Sequence, residues 1–294
     1  MSDFMPRTVE EGFRDFLIRL TPSDTESQAA MRHRASIEQC IRTNFGLKRF
    51  FRIGSFGNGT SISGFSDVDY FAEIPTENLT ENSYISLCKI RNALDRRFPN
   101  TRVRVNTPAV LVPFGNKKSE YTEVVPADYI RKENDFTIYD IPAFNKGWMK
   151  SSPDAHNTYV ARINQKSGYK VKHLVRFLKA WKYYRGVPIS SFYLELQAAR
   201  YANEESSIIY SIDVRNILVK LLNNELAKMQ DPMGIGGYIE ACSTQGKYDN
   251  VISKLERAVK RADKAREAER SGKIANAFHW WRLVFSYKFP TYYR

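Results

Sequence analysis

Cysteine and histidine are scarce in this chain, with three of the first (Cys40, Cys88 and Cys242) and four of the second. Neither type shows the paired or clustered spacing of a zinc site, so a disulfide scaffold and a zinc-built fold are both unexpected. Single thiols used as small apolar groups fit a reducing compartment, and a cytoplasmic location is the expectation. No apolar run approaches the roughly 20 residues that span a bilayer, so no membrane association is expected. Residues 1–10 carry no signal-peptide pattern, and the sequons at Asn58 and Asn78 read as chance triplets. Internal repeats and low-complexity tracts are lacking too.

What the chain has in excess is positive charge, +13 at neutral pH, on a composition that is 43% hydrophobic and 13% aromatic. That composition is globular, and the charge favours polyanionic ligands, nucleotides and nucleic acid first, although excess lysine and arginine can also simply solvate a surface. A length of 294 residues suits one large or two medium cores.

The periodicity changes along the chain. Small polar residues at 21–25 precede Ile37, Ile41 and Phe45 at helical spacing, which predicts one long helix over about 26–45 that could run through both lobes. Strand patterns follow at 49–53 and 67–74, separated by a glycine-rich turn from Gly54 to Thr60. Leu87, Ile90, Leu94 and Phe98 mark a helix that ends at Pro99, and further strand-like runs occupy 101–106, 109–114 and 121–125. Beyond residue 147 helical stripes take over: Val171, Leu174, Val175, Leu178 and Trp181, then Ile217, Leu218, Leu221 and Leu222. A third, Ile252, Leu255, Val259 and Ala262, covers too few heptads for a coiled coil and reads as a packed amphipathic helix. The aromatic run Phe278 to Phe285 is expected to dock on a lobe. The organisation predicted is α+β, a mixed-sheet lobe over 1–147 and a mainly helical lobe over 148–294.

Chemistry concentrates between Gly54 and Asp69. A strand ends in a turn rich in glycine, and the next strand opens with Asp67 and Asp69. At i and i+2 on a strand, both carboxylates leave one face with Cα atoms roughly 6.6 Å apart. Carboxylates so placed can share two Mg2+ ions about 3.5–4 Å apart, the arrangement used for in-line phosphoryl or nucleotidyl transfer. Gly54, Ser55 and the amides of the turn could cradle a triphosphate. A third acid is needed from a neighbouring strand, and Glu123 is the candidate, sharing a face with Tyr121 and Val125. Glu120 falls on the opposite face, and Asp128 lies past Pro126, which is expected to limit the strand.

These motifs resemble the cGAS/DncV-like nucleotidyltransferases (bacterial CD-NTases) of the polymerase-beta-like superfamily. The likeness rests on the Gly-Ser turn, Asp67-Val-Asp69 and the run from Glu123 to Ala127. It extends through Val175 to Lys182, Ser190 to Glu195, and Trp281 to Pro290, so that it covers nearly the whole chain. The resemblance implies a catalytic lobe and a helical lobe with the active site in the cleft between them. It implies catalysis by Asp67, Asp69 and Glu123 with two Mg2+ ions, Mn2+ being an alternative, and a triphosphate held by Lys179 and Ser191 with a base stacked on Phe192. Lys172, seven residues before Lys179 on the same helix face, is a second phosphate candidate. The competing readings are that both lysines are merely solvated and that Phe192 belongs to the core.

The activity implied is joining nucleoside triphosphates into a cyclic di- or trinucleotide second messenger, in bacterial antiphage signalling (CBASS). A downstream effector would respond to the product rather than to contact, and a regulatory protein partner fits the family. Two departures stand out: the third acid is Glu where animal relatives have Asp, and no Cys/His insertion of the kind that engages DNA is present, so activation by double-stranded DNA is not expected. The rivals are an RNA-directed 3'-nucleotidyltransferase of CCA-adding or poly(A) type and a catalytically inactive nucleotide-binding protein.

Overall fold

A computed structural model describes residues 7–23, 28, 33–54, 58–65, 67–114 and 120–293, with the backbone alone at Asp67 and Glu120. Its contacts divide the chain into two compact units, Pro22–Tyr159 with Asp231–Gly237, and Met1–Thr21 with Val160–Gln230 and Tyr238–Arg294.

The first unit is built on a seven-stranded mixed sheet. Its strands are β1 (Arg49–Ile53), β2 (Asp67–Glu73), β3 (Arg104–Asn106), β4 (Ala109–Phe114), β5 (Glu120–Glu133), β6 (Phe136–Pro142) and β7 (Trp148–Ser151). The order is β1-β2-β5-β4-β3, with β6 pairing the far half of β5 and β7 pairing β6. Alternation sorts the side chains. Val68, Tyr70 and Ala72 of β2 join Val110, Val112 and Val124 in a buried core. Helices α2 (Arg34–Phe45) and α3 (Ser83–Arg97) close that core through Ile37, Ile41, Leu87, Ile90 and Leu94. On the opposite face Phe71, Val125, Ala127, Tyr139 and Ile141 form a second apolar cluster, which seals the far ends of β2 and β5. The near end of that face carries Asp69 and Glu123.

Several local expectations change. The helix expected over 26–45 is described from Arg34, and most of its first part lies outside the described residues. The run expected to begin at 101 becomes extended only at Arg104, because Arg102 adopts a left-handed φ of 60°. Pro126 does not limit its strand, since β5 continues to Glu133. Pairing with β4 ends at Val124 and pairing with β6 begins at Asp128, so Pro126 sits where the ladder changes partner and a missing N–H costs little. Asp128 is engaged beyond it, accepting from Thr76 Oγ1 at 2.7 Å.

The second unit is helical: α1 (Val9–Leu20), the second half of α4 (Pro153–Lys166), α5 (Val171–Tyr184), α6 (Ser191–Glu204), α7 (Tyr210–Asn223), α8 (Gln245–Arg270) and α9 (Ile274–Val284). A capping box starts α1, with Thr8 accepting from the Glu11 amide and Glu11 reaching back to the Thr8 amide. Its Phe13 ring is wholly buried, with centroids 5.0 Å from Phe177, 4.9 Å from Trp281 and 5.0 Å from Phe289. The aromatic run near the C-terminus therefore packs onto this unit as expected. Helix α8 is the packed amphipathic helix expected, but its buried stripe runs through Val251, Leu255, Ala258, Ala262 and Ala265, with Ile252 and Val259 of the expected stripe only half-buried beside it. No helix among the described residues is long and apolar enough to cross a membrane.

Truncating Phe13 to alanine removes the ring on which α1, α5 and α9 converge. The expected cost is about 3–5 kcal/mol, read as a lower midpoint in urea unfolding with the slope unchanged.

Candidate active site

The parallel pairing of β2 with β5 decides the geometry of the acids. In its register Asp69 stands opposite Glu123, and Asp67 stands opposite Tyr121 on the same face. Strands in a sheet lie about 4.8 Å apart, so Asp69 and Glu123 project from adjacent chains side by side, both half-buried. Glu123 carries a hydrogen bond that nothing in the sequence announced: Asn106 Nδ2, on β3, donates to its Oε1 at 2.8 Å. Farther along the face, buried Glu73 accepts from the Tyr139 hydroxyl at 3.3 Å. Burial is the main reason that the hydroxyl is pushed up to about 12, so it remains a donor at neutral pH.

Gly54 ends β1 against these acids. Its φ is +65°, and a Cβ placed on it would fall on the Asp69 carboxylate. Glycine therefore serves here twice, by permitting the left-handed turn and by clearing space for an acid. Ser55 lies outside the described residues. Thr60 and Ser61, farther along the same loop, are buried.

The candidates in the helical unit form a different cluster. Lys179, expected to reach a triphosphate, is only 2% exposed, and its Nζ donates to Glu195 Oε2 on α6 at 2.9 Å. Residues 177–181 of α5 are all buried, so its periodicity does not leave this lysine a solvent side. Lys182, one turn on, is half-buried and donates to Ser191 Oγ, while the Tyr183 hydroxyl lies 3.5 Å from the same oxygen. Ser191 is the first residue of α6, behind Ser190, whose side chain caps the helix by accepting from the Tyr193 amide. Phe192 is 42% exposed, which removes the reading that it is a core residue. Lys172 is half-buried on α5, and its amide donates to Asn164 Oδ1 at 3.1 Å.

Asn106, Lys182 and Glu195 are the residues that sequence reasoning passed over as parts of the site. Lys182 and Glu195 had a signal, since a lysine inside the apolar run 177–181 needs an acid partner and leaves the more exposed role to the next turn. Asn106 had none, because its reach to Glu123 depends on strand order.

Residues 7–164 match the family model of the Second Messenger Oligonucleotide or Dinucleotide Synthetase domain, SMODS. The chain belongs to the SMODS family. It is 23% identical over 250 residues to a probable cyclic nucleotide synthase of Bacillus cereus, covering 80% of this chain and 75% of that one. The fold matches the cyclic AMP-GMP synthase DncV of Vibrio cholerae, solved with the linear intermediate pppA(3',5')pG, at a TM-score of 0.77 and 12% identity over 98% of this chain and 97% of that one. Escherichia coli CdnC, solved with ATP, matches at 0.73 and 16% over 95% of this chain and 98% of that one. The expected α+β nucleotidyltransferase fold and the resemblance to the cGAS/DncV-like enzymes are thus both borne out.

The donors on the SMODS sheet are of the type that suits a hard cation, because Asp69 and Glu123 offer carboxylate oxygens from paired positions on adjacent strands. Among the described side chains, which do not include that of Asp67, no group of three metal-ligating residues comes together.

Substituting Gly54 by alanine would force both a strained φ and a shift of Asp69. Turnover is expected to fall about a hundredfold, while the thermal midpoint drops by only a few degrees, measured by product assay and calorimetry on the same preparation.

Proposed function

We propose that this chain is a Mg2+-dependent nucleotidyltransferase that joins nucleoside triphosphates into a cyclic di- or trinucleotide, and that the product acts as a second messenger in antiphage signalling. The observation that carries this reading is the register that sets Asp69 opposite Glu123 with Asp67 on the same face. Membership of the SMODS family supports it.

Asp67, Asp69 and Glu123 are the residues that would hold two Mg2+ ions, or Mn2+ in their place. Bound there, the ions would help to ionise an attacking hydroxyl and stabilise departing pyrophosphate. Everything else falls to the chain. Lys182 and Ser191 offer a cation and a hydroxyl at the N-terminus of α6, where the first-turn amides and the positive end of the helix also favour phosphate. Phe192 presents an exposed ring on which a base can stack, an interaction of about 1–3 kcal/mol that tolerates any base. Lys179 contributes as a buried charge paired with Glu195, and Lys172 remains a phosphate contact in this reading. Each transfer forms one P–O bond from the hydroxyl oxygen to the α-phosphorus and breaks one to pyrophosphate.

CdnC has also been solved in complex with a HORMA protein. On that likeness a regulatory protein partner is proposed for this chain, with the effector responding to the released product.

The test is incubation with all four labelled nucleoside triphosphates and Mg2+, phosphatase treatment and mass spectrometry. A phosphatase-resistant cyclic oligonucleotide is expected, lost in Asp69→Ala and with chelator, and Lys182→Ala should raise the nucleotide KM by about tenfold, the loss of ~1.5 kcal/mol. Label transferred only to added RNA, or product persisting in Asp69→Ala, would overturn the reading.

A further inference from the structure

We propose that Asn106 is a positioning residue that orients the Glu123 carboxylate for metal binding, and that glutamate rather than aspartate stands at position 123 because only its length reaches both jobs. The inference rests on the reading of Asp69 and Glu123 as metal ligands.

Asn106 and Glu123 are not on neighbouring strands. β4 lies between them, and its Leu111 pairs with Arg104 on one side and with Glu123 on the other. Rows two strands apart are separated by about 9.5 Å, too far for two short side chains to meet. Two features close the gap. Asn106 pairs with Ala109, and this wholly buried methyl leaves the amide room to lie across β4. Glu123 supplies the rest, its extra methylene bringing Oε1 to 2.8 Å from Asn106 Nδ2.

The same methylene has a drawback, since a third rotatable bond lets a carboxylate wander among rotamers that do not face Asp69. A neutral amide donor is suited to restrain it. It adds no charge to a cluster of acids, and it takes one of the roughly four acceptor positions of a carboxylate. An aspartate in place of Glu123 would fall a methylene short of Asn106, so the two residues should act as a coupled pair.

The experiment is titration of the metal-free full chain with Mn2+, following the free ion by electron paramagnetic resonance. The variants are Asn106→Ala, Glu123→Asp, the two together, and Glu123→Ala. Asn106→Ala should weaken Mn2+ binding roughly tenfold, lower kcat with nucleotide KM little changed, and leave thermal unfolding of the metal-free protein in place. In the Glu123→Asp background the same alanine should change Mn2+ affinity by less than about twofold. If Glu123→Ala loses Mn2+ but Asn106→Ala does not, the positioning role fails while the metal reading stands. If Glu123→Ala binds Mn2+ like the parent, the metal reading fails and takes this inference with it. Equal losses from Asn106→Ala in the parent and in the Glu123→Asp background would also overturn it, by showing that Asn106 acts without the reach of Glu123.

Discussion

Two strands far apart in the chain, β2 and β5, run side by side in the same direction, and the juxtaposition of Asp69 with Glu123 depends on that pairing. Parallel neighbours need a long crossover, here carried by α3 with β3 and β4, and their ladder is bought with buried apolar area on the opposite face. Val68, Tyr70 and Val124 supply that area against α2 and α3. The pairing brings Asp69 to the position opposite Glu123, so two acids project from adjacent strands at one level of the sheet.

The surroundings of the acids are arranged to the same end. Gly54 gives way to Asp69 where any side chain would collide with it. Asn106 holds one oxygen of Glu123, and the Tyr139 hydroxyl donates to the buried Glu73, which also has Arg49 at 3.9 Å. The helical unit holds a buried acid with a closer ion pair. Lys179 and Glu195 are both withdrawn from water, and removing either partner of such a pair typically costs about 3–5 kcal/mol because the other is left uncompensated. With Lys179 committed there, Lys182 is the cation left to meet Ser191 at the start of α6.

The placement of the acids was legible because it follows from two short-range rules, the i and i+2 geometry of Asp67 and Asp69 and the alternation around Glu123. What could not be read locally was strand order, and with it the role of Asn106 and the continuation of β5 through Pro126. The proline misled because a missing ladder donor matters only where a partner waits for it. The burial of Lys179 was hidden for a related reason: helical spacing identifies a face, but not what covers it. The α1 contribution to the aromatic core escaped notice too, since Phe13 and Phe16 gain their meaning from rings more than 150 residues later.

The most direct test of the central claim is anomalous diffraction from crystals grown with Mn2+ and a nonhydrolysable nucleoside triphosphate. Manganese peaks among Asp67, Asp69 and Glu123, with the triphosphate bridging them, are the predicted result. Ordered nucleotide with no metal at those carboxylates would contradict the account.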